Sequence, residues 1–342
     1  MNRSDSAATR PYANLNVPST DIFVTYRCSL RCTHCFLGDL LNTSQDMTYS
    51  SLTQIIRSCS SWGSKEVTFL GGEPTQYPYI THAVSLAREE GLEPRIVTNG
   101  QGAFGRFIEN DSMLGTHVCI SIDGSCAETH DAIRGRGKFL RLMRNATRAR
   151  ERGFAMSGIV SISRQNASDA YGMLALCAEL QLEYVNVHYV SSRGFASSMT
   201  ALEPPEWALV CSQIERAAAD FPSLQIRYER TFVAESQASG QCSVRDGSNL
   251  MFLPDGRVFG CMMFIDIEDA HAYDWDGSRL HERPGQETEL EYVAAWDKPG
   301  CPALVLVDPQ ASSHLGKGEC VECIYAKTRL NQESPVNSAV RR

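Results

Sequence analysis

Short β-rich apolar runs alternate with segments of helical spacing through the first two thirds of the chain. Asp21 to Tyr26, Glu66 to Leu70, Arg95 to Thr98, His117 to Ile122, Gly158 to Ile162 and Tyr184 to Val190 read as strands. Tyr49 to Cys59, Tyr79 to Glu90, Phe139 to Arg152, Ala170 to Leu180 and Pro205 to Ala219 read as helices, and the third of these is basic on one face. Strands separated by helices of about a dozen residues predict repeated βαβ units and a parallel sheet. Six strands before residue 200 fall short of the eight-unit barrel, which usually needs about 250 residues. The expectation is an α/β fold, a partial (β/α)6 TIM-like barrel, with ligands at the carboxyl ends of the strands. Polar and glycine punctuation sits at those ends: Gly71-Gly72-Glu73-Pro74, Thr98-Asn99-Gly100, Ser121 to Gly124, and His188.

The pattern changes near residue 222, where strands become short and turn-linked. Asn249 to Leu253 and Arg257 to Gly260 flank Pro254-Asp255-Gly256, a hairpin signal. Three segments are expected: a flexible polar tail over 1–20, the α/β unit over 21–221, and a small hairpin and loop domain over 222–342. Only about 20 residues precede the first strand, so no separate folded domain is expected before it.

Composition narrows the class. The 342 residues are 43% hydrophobic and 21% charged, so a buried core is expected. The net charge of -8 argues against a nucleic-acid surface. No run reaches the length of a membrane span, and no secretory signal is visible, so a cytoplasmic address is expected. Acidic residues crowd between Phe264 and Gly300, read as a solvated surface insert. The 13 cysteines are many for a reducing compartment, where clustered thiols point to metal or catalysis. Cys59, Cys119, Cys126, Cys177 and Cys211 are scattered and read as core packing.

Two cysteine sets carry candidate chemistry. Cys28, Cys32 and Cys35 have C-x3-C-x2-C spacing directly after a strand. Three thiolates on one loop can bind three irons of a cubane cluster and leave the fourth open. Zinc, with His34 as a fourth ligand, is the alternative. Cys242, Cys261, Cys320 and Cys323 can close a four-thiolate site, for which spacing alone leaves zinc and iron–sulfur equally open.

These motifs, in this order, resemble the radical S-adenosylmethionine (SAM) superfamily over roughly 21–200 and 242–325. C-x3-C-x2-C looks like its cluster signature. Gly71-Gly72-Glu73-Pro74 resembles its "GGE" motif, whose backbone holds the methionyl amine of SAM. Val97 to Gly100 and Ser121 to Gly124 resemble the later segments that approach SAM, and His130-Asp131 with Arg134-Gly135 its "HD…RG" stretch. The resemblance implies a [4Fe–4S] cluster on Cys28, Cys32 and Cys35, with SAM held near Gly71, Gly72, Glu73, Thr98, Asn99 and Ser121. It implies reductive cleavage of SAM to a 5′-deoxyadenosyl radical that takes hydrogen from a substrate. The second cysteine set is similar to the Twitch domain, a shortened SPASM domain, which implies one auxiliary [4Fe–4S] cluster on Cys242, Cys261, Cys320 and Cys323. A small polar molecule or short peptide is the implied substrate, with oxidation or epimerisation as the outcome and peptide cross-linking as the alternative. A flavodoxin or ferredoxin is the implied electron donor. Cys301 can replace a cluster ligand, donate hydrogen to a substrate radical, or simply pack. His188, Tyr189, Asp123 and Arg164 stand near predicted strand ends as candidate bases.

Overall fold

The computed structural model describes residues 17–283, 287–313, 315–323 and 327–331. Seven strands, β1 (Ser19–Thr25), β2 (Glu66–Gly71), β3 (Glu93–Thr98), β4 (His117–Ser121), β5 (Met156–Ile162), β6 (Tyr184–Tyr189) and β7 (Gln225–Glu229), pair in parallel in sequence order. A parallel neighbour needs a long crossover. Helices such as Tyr49–Ser61, Ile80–Glu89, Lys138–Glu151, Ala170–Glu179 and Pro204–Asp220 supply them. Two further helices, Gly102–Glu109 and Ala127–Arg134, escape the periodicity reading because each is only 8 residues long.

Most strands after 222 join the main sheet. A short pair, β8 (Phe232–Ala234) with a later strand at Glu319–Val321, stands alone. The strands β9 (Asn249–Phe252), β10 (Arg257–Phe259), β11 (Tyr273–Trp275) and β12 (Leu280–Glu282) extend the main sheet beyond β1. With Glu319–Val321 as β13 and Lys327–Leu330 as β14, the sheet of 12 strands runs β12-β11-β10-β9-β1-β2-β3-β4-β5-β6-β7-β14. The boundary read near 222 therefore falls inside one sheet. β7, just after it, still pairs in parallel, and antiparallel pairing comes later, as in the β9–β10 hairpin. The expected tail over 1–20 is shorter, since β1 begins at Ser19 and Val17 is fully buried. Its first sixteen positions lie outside the described residues.

The parallel strands have two distinct faces. Phe69, Ile96, Val118 and Met156 line up across β2 to β5, as do Val160, Val187 and Tyr228 across β5 to β7, and these pack under the helices. The opposite face is polar. Thr68, Arg95 and His117 share one row, and Ser161 and His188 another. A second apolar cluster joins Phe23, Tyr26, Leu37 and Leu41 near β1 to Met251, Phe259, Phe264, Val293 and Leu304 of the later segment. Each such side chain contributes about 1.5–3 kcal/mol on burial, so the loop after β1 is clamped by the C-terminal part.

The lone cysteines divide. Cys59, Cys119 and Cys177 are buried and Cys211 is partly buried, as core packing requires. Cys126 is exposed: it occupies the N-cap of helix Ala127–Arg134, where the chain turns outward. In the acidic stretch Asp266, Glu268, Asp269, Asp274, Asp276, Glu291 and Asp297 are exposed. Glu289 is the exception, fully buried with its carboxylate accepting from the Gly260 and Cys261 amides at 2.5 and 3.0 Å. Burial pushes its pKa up to about 8. Among the described residues no helix is long and apolar enough to cross a membrane.

Candidate functional site

The loop leaving β1 is held by backbone pairing with the end of β2. The Gly72 amide donates to Thr25 O and the Glu73 amide to Arg27 O, both at 2.8 Å. Glycines are required because the two chains touch. A Cβ on Gly71, whose φ is +142°, would lie 2.2 Å from Thr25 O, and one on Gly72 would lie 2.4 Å from Arg27 O. Gly72→Ala should therefore displace the loop one residue before Cys28. We expect a loss of about 1–3 kcal/mol and reduced iron uptake, read by thermal melting and by iron content after anaerobic reconstitution. Gly102→Ala, with nothing within 4 Å of the added carbon, should match the unaltered protein in both.

Glu73 braces the next strand end. Its buried carboxylate accepts from Thr75 Oγ1 at 2.5 Å, Thr98 Oγ1 at 2.8 Å and the Asn99 amide at 2.8 Å. Asn99 Nδ2 in turn points at Cys28 Sγ, 3.6 Å away. Gly71, Gly72, Glu73, Thr98 and Asn99 thus come together around the loop bearing Cys28. Ser121 ends β4 next door, buried and on the polar face with Cys119.

Cys28 is partly buried, Cys32 buried and Cys35 partly buried. Burial pushes Cys28 up to about 11 and raises the other two, with Arg134 working against it at Cys32 and Cys35. Without a metal the three are neutral thiols; as thiolates they are soft donors for iron or zinc. Among the described residues no three His, Cys, Asp or Glu side chains gather closely enough to grip a single metal ion. A cubane cluster holds its thiolates further apart than one ion does, and three thiols on one braced loop fit it, leaving one iron without a protein sulfur.

Asp123 ties this loop to the sheet. Its fully buried carboxylate meets His34 Nε2 at 2.7 Å, pairs with Arg134 Nε, and accepts from the Ser161 amide at 3.2 Å. Burial would raise its pKa, but Arg134 and His34 overcome that and hold it well below the carboxylate range. His34, between Cys32 and Cys35, is engaged by Asp123, which places it as a brace for the loop.

On the polar face His188 Nδ1 lies 2.6 Å from Glu229 Oε1 of β7, and Lys327 Nζ of β14 lies 3.1 Å from His188 Nε2. The two contacts agree with one tautomer, Nδ1–H donating to Glu229 and Nε2 accepting from Lys327. Glu229 is 2% and Lys327 14% exposed. Burial lowers His188 and pushes Lys327 down to about 8. Sequence reasoning missed Glu229 and Lys327 because both lie beyond the boundary it drew. Of the other candidate bases, Tyr189 donates to Leu202 O at 3.0 Å, and Arg164 pairs with Glu206 at 2.6 Å. Both are occupied structurally.

In the second cysteine set burial raises Cys242 and Cys261, and the Cys323 thiol lies close enough to raise both further. Cys320 is buried beside the Cys301 segment. A Cβ on Gly300 would meet Cys320 Sγ at 3.3 Å, and the Cys301 amide donates to Val321 O at 2.7 Å. Cys301 is 4% exposed, and its Sγ accepts from the Leu304 amide at 3.5 Å.

This arrangement defines an α/β protein on a large, mostly parallel sheet, with soft donors on the loop that leaves its first strand. Comparison with known families agrees: residues 22–177 match the family model described as "Radical SAM superfamily". The match covers a little under half of the chain. "Fe-coproporphyrin III synthase" of Methanosarcina barkeri is 27% identical over 179 residues, 52% of this chain and 45% of that protein. "PqqA peptide cyclase" of Ruegeria pomeroyi is 24% identical over 249 residues, 70% of this chain and 66% of that protein. The chain thus spans about half to two thirds of these relatives' length. Among solved structures, Streptococcus suis SuiB bound to precursor peptide SuiA has a TM-score of 0.65 at 14% identity, covering 88% of this chain and 72% of that one. Native anSMEcpe with bound AdoMet has a TM-score of 0.57 at 16% identity, covering 74% and 76%. These likenesses show the fold.

Proposed function

We propose that the chain is a radical SAM enzyme acting on a polar substrate laid against the polar face of its sheet. The observation that carries this reading is the thiol loop braced against Gly71, Gly72 and Asn99. Cys28, Cys32 and Cys35 would hold a [4Fe–4S] cluster, and Cys242, Cys261, Cys320 and Cys323 an auxiliary one on a Twitch-like segment. With SAM on its open iron the first cluster supplies one-electron cleavage to methionine and a 5′-deoxyadenosyl radical. Gly71 and Gly72 present backbone to the methionyl group, while Thr98, Asn99 and Ser121 line its approach. Asp123 holds His34 and Arg134 and so fixes the loop. His188, oriented by Glu229, would take at Nε2 the proton that an oxidation releases once Lys327, which donates to that nitrogen, turns aside. Cys301, buried and donor-bearing, is the candidate for hydrogen return in an epimerisation. A cytoplasmic address fits this oxygen-sensitive chemistry.

A second reading, a peptide substrate, is favoured by the names of two similar proteins, the PqqA peptide cyclase and the SuiB complex with its precursor peptide. Incubation of reconstituted protein with dithionite and SAM should release 5′-deoxyadenosine. Mass spectrometry of added substrates then separates the outcomes. Loss of two hydrogens means oxidation, and deuterium gained from heavy water without other change means epimerisation. Absence of 5′-deoxyadenosine from a protein carrying its iron and sulfide would refute the proposal.

A further inference from the structure

The basic face of helix Lys138–Glu151 plays no part in the site described above, yet it stands beside it. In a chain of net charge -8, this helix and its neighbours gather Arg31, Arg106, Arg136, Lys138, Arg141 and Arg144. All are exposed except Lys138, which is partly so. Arg148 and Arg152 of the same region pair with Glu109 and Asp111. Among the described residues no carboxylate lies within ion-pair distance of Arg106, Arg136, Arg141 or Arg144. Leu140 stands in the middle of these cations with 71% of its surface exposed, one helical turn from Arg144. Next to them opens a cavity of about 640 Å³ whose walls include Ser29, Gln101, Arg106, Lys138 and Arg141.

The patch reaches the thiol loop by a short chain of contacts. Gln101 Nε2 donates to Lys138 O at 3.1 Å and to Asn99 O at 3.2 Å, and Asn99 Nδ2 lies 3.6 Å from Cys28 Sγ. Arg31 Nη1 donates to Cys28 O at 3.0 Å. The cavity wall at Ser29 is the residue next to Cys28.

We propose that this face, centred on Leu140, Arg141 and Arg144, is the docking surface for a small acidic one-electron carrier protein. The assignment rests on the radical SAM reading. Unpaired cations around an exposed apolar anchor suit a transient, electrostatically steered partner bearing carboxylates, and the contacts through Gln101 and Asn99 bring it next to the group to be reduced. One electron passes from the reduced carrier to the cluster on Cys28, Cys32 and Cys35. The carrier leaves oxidised by one electron, and no bond is made or broken in that transfer.

The test uses a reduced flavodoxin as the carrier and the variants Arg141→Glu with Arg144→Glu, and Leu140→Asp. Flavodoxin binding is followed by flavin fluorescence, and SAM cleavage is driven either by reduced flavodoxin or by dithionite, which needs no docking. The charge-reversed variant should bind at least about tenfold more weakly and lose a similar factor in flavodoxin-driven cleavage. Its dithionite-driven cleavage should be unchanged, and rising salt should erase the difference from the unaltered protein. Unchanged flavodoxin binding and turnover in both variants would overturn the assignment. So would an equal loss with both reductants, which would place these residues at the substrate. Failure of dithionite-driven cleavage in the unaltered, iron-loaded protein would instead refute the enzymatic reading on which this one rests.

Discussion

Replacing Cys28, Cys32 and Cys35 together with Ala will bring SAM cleavage down to the rate of a protein-free control. Each supplies one of the three sulfurs on the loop, and thiolate ligation holds the cluster. Neither His34 nor a carboxylate can substitute: the His34 ring is turned to Asp123 at 2.7 Å, and Asp123 is paired with Arg134. The fold should survive, because the loop is fixed by the Gly72 and Glu73 amides rather than by its thiols. The measurement is 5′-deoxyadenosine formed per chain, with iron content and circular dichroism beside it. The matched variant, Cys242, Cys261 and Cys323 to Ala, should keep SAM cleavage while losing the iron attributable to the second set. If the first triple variant still cleaved SAM, the loop would not be the cluster site. If the second lost cleavage entirely with its fold intact, the division between the two sets would be wrong.

The loop's chemistry was legible because it is local. C-x3-C-x2-C after a strand, Gly-Gly-Glu after the next and Asn99 after the third are short patterns, and the sheet register that aligns them is dictated by apolar alternation. Strands β1 to β6 came out of the same periodicity. What escaped depends on contacts distant in sequence. Glu229 carries no local signal, and only the pairing of β7 with β6 puts it beside His188, 41 residues earlier. Lys327 reaches the same point only because β14 pairs with β7. Glu289 looks like one more charge in an acidic insert, and its burial follows from two amides at the end of β10. The boundary read near 222 has strands of one sheet on both its sides. A change from parallel to antiparallel pairing alters local pattern as strongly as a change of domain, and only the hydrogen bonds from β9 to β1 distinguish the two.

Arg134→Ala tests whether the buried pair behind the thiol loop is a structural brace. Asp123 is fully buried and Arg134 8% exposed, so removing the guanidinium leaves a buried carboxylate without its arginine partner. Breaking a buried pair in this way costs about 3–5 kcal/mol, or a fall of roughly 4–7 °C in Tm for a chain of this size. The pH dependence gives the cause. In the unaltered protein the folded-state pKa of Asp123 is depressed below its unfolded value. The pair's contribution is therefore fully present above the unfolded pKa and is lost as pH falls through the folded one. In the variant, desolvation is no longer offset by Arg134 and the carboxyl is raised. Lowering the pH then protonates Asp123 and relieves the penalty, so the stability deficit should be largest at neutral pH and shrink as the solution is made acidic. A double variant, Asp123→Asn with Arg134→Met, should recover part of the loss at neutral pH because no charge is stranded. Chemical denaturation at several pH values reads all three proteins. A deficit of constant size from neutral to acidic pH, unrelieved by the double variant, would mean that Arg134 acts through packing of its side chain, and the electrostatic account of how Cys32 and Cys35 are held in place would fall with it.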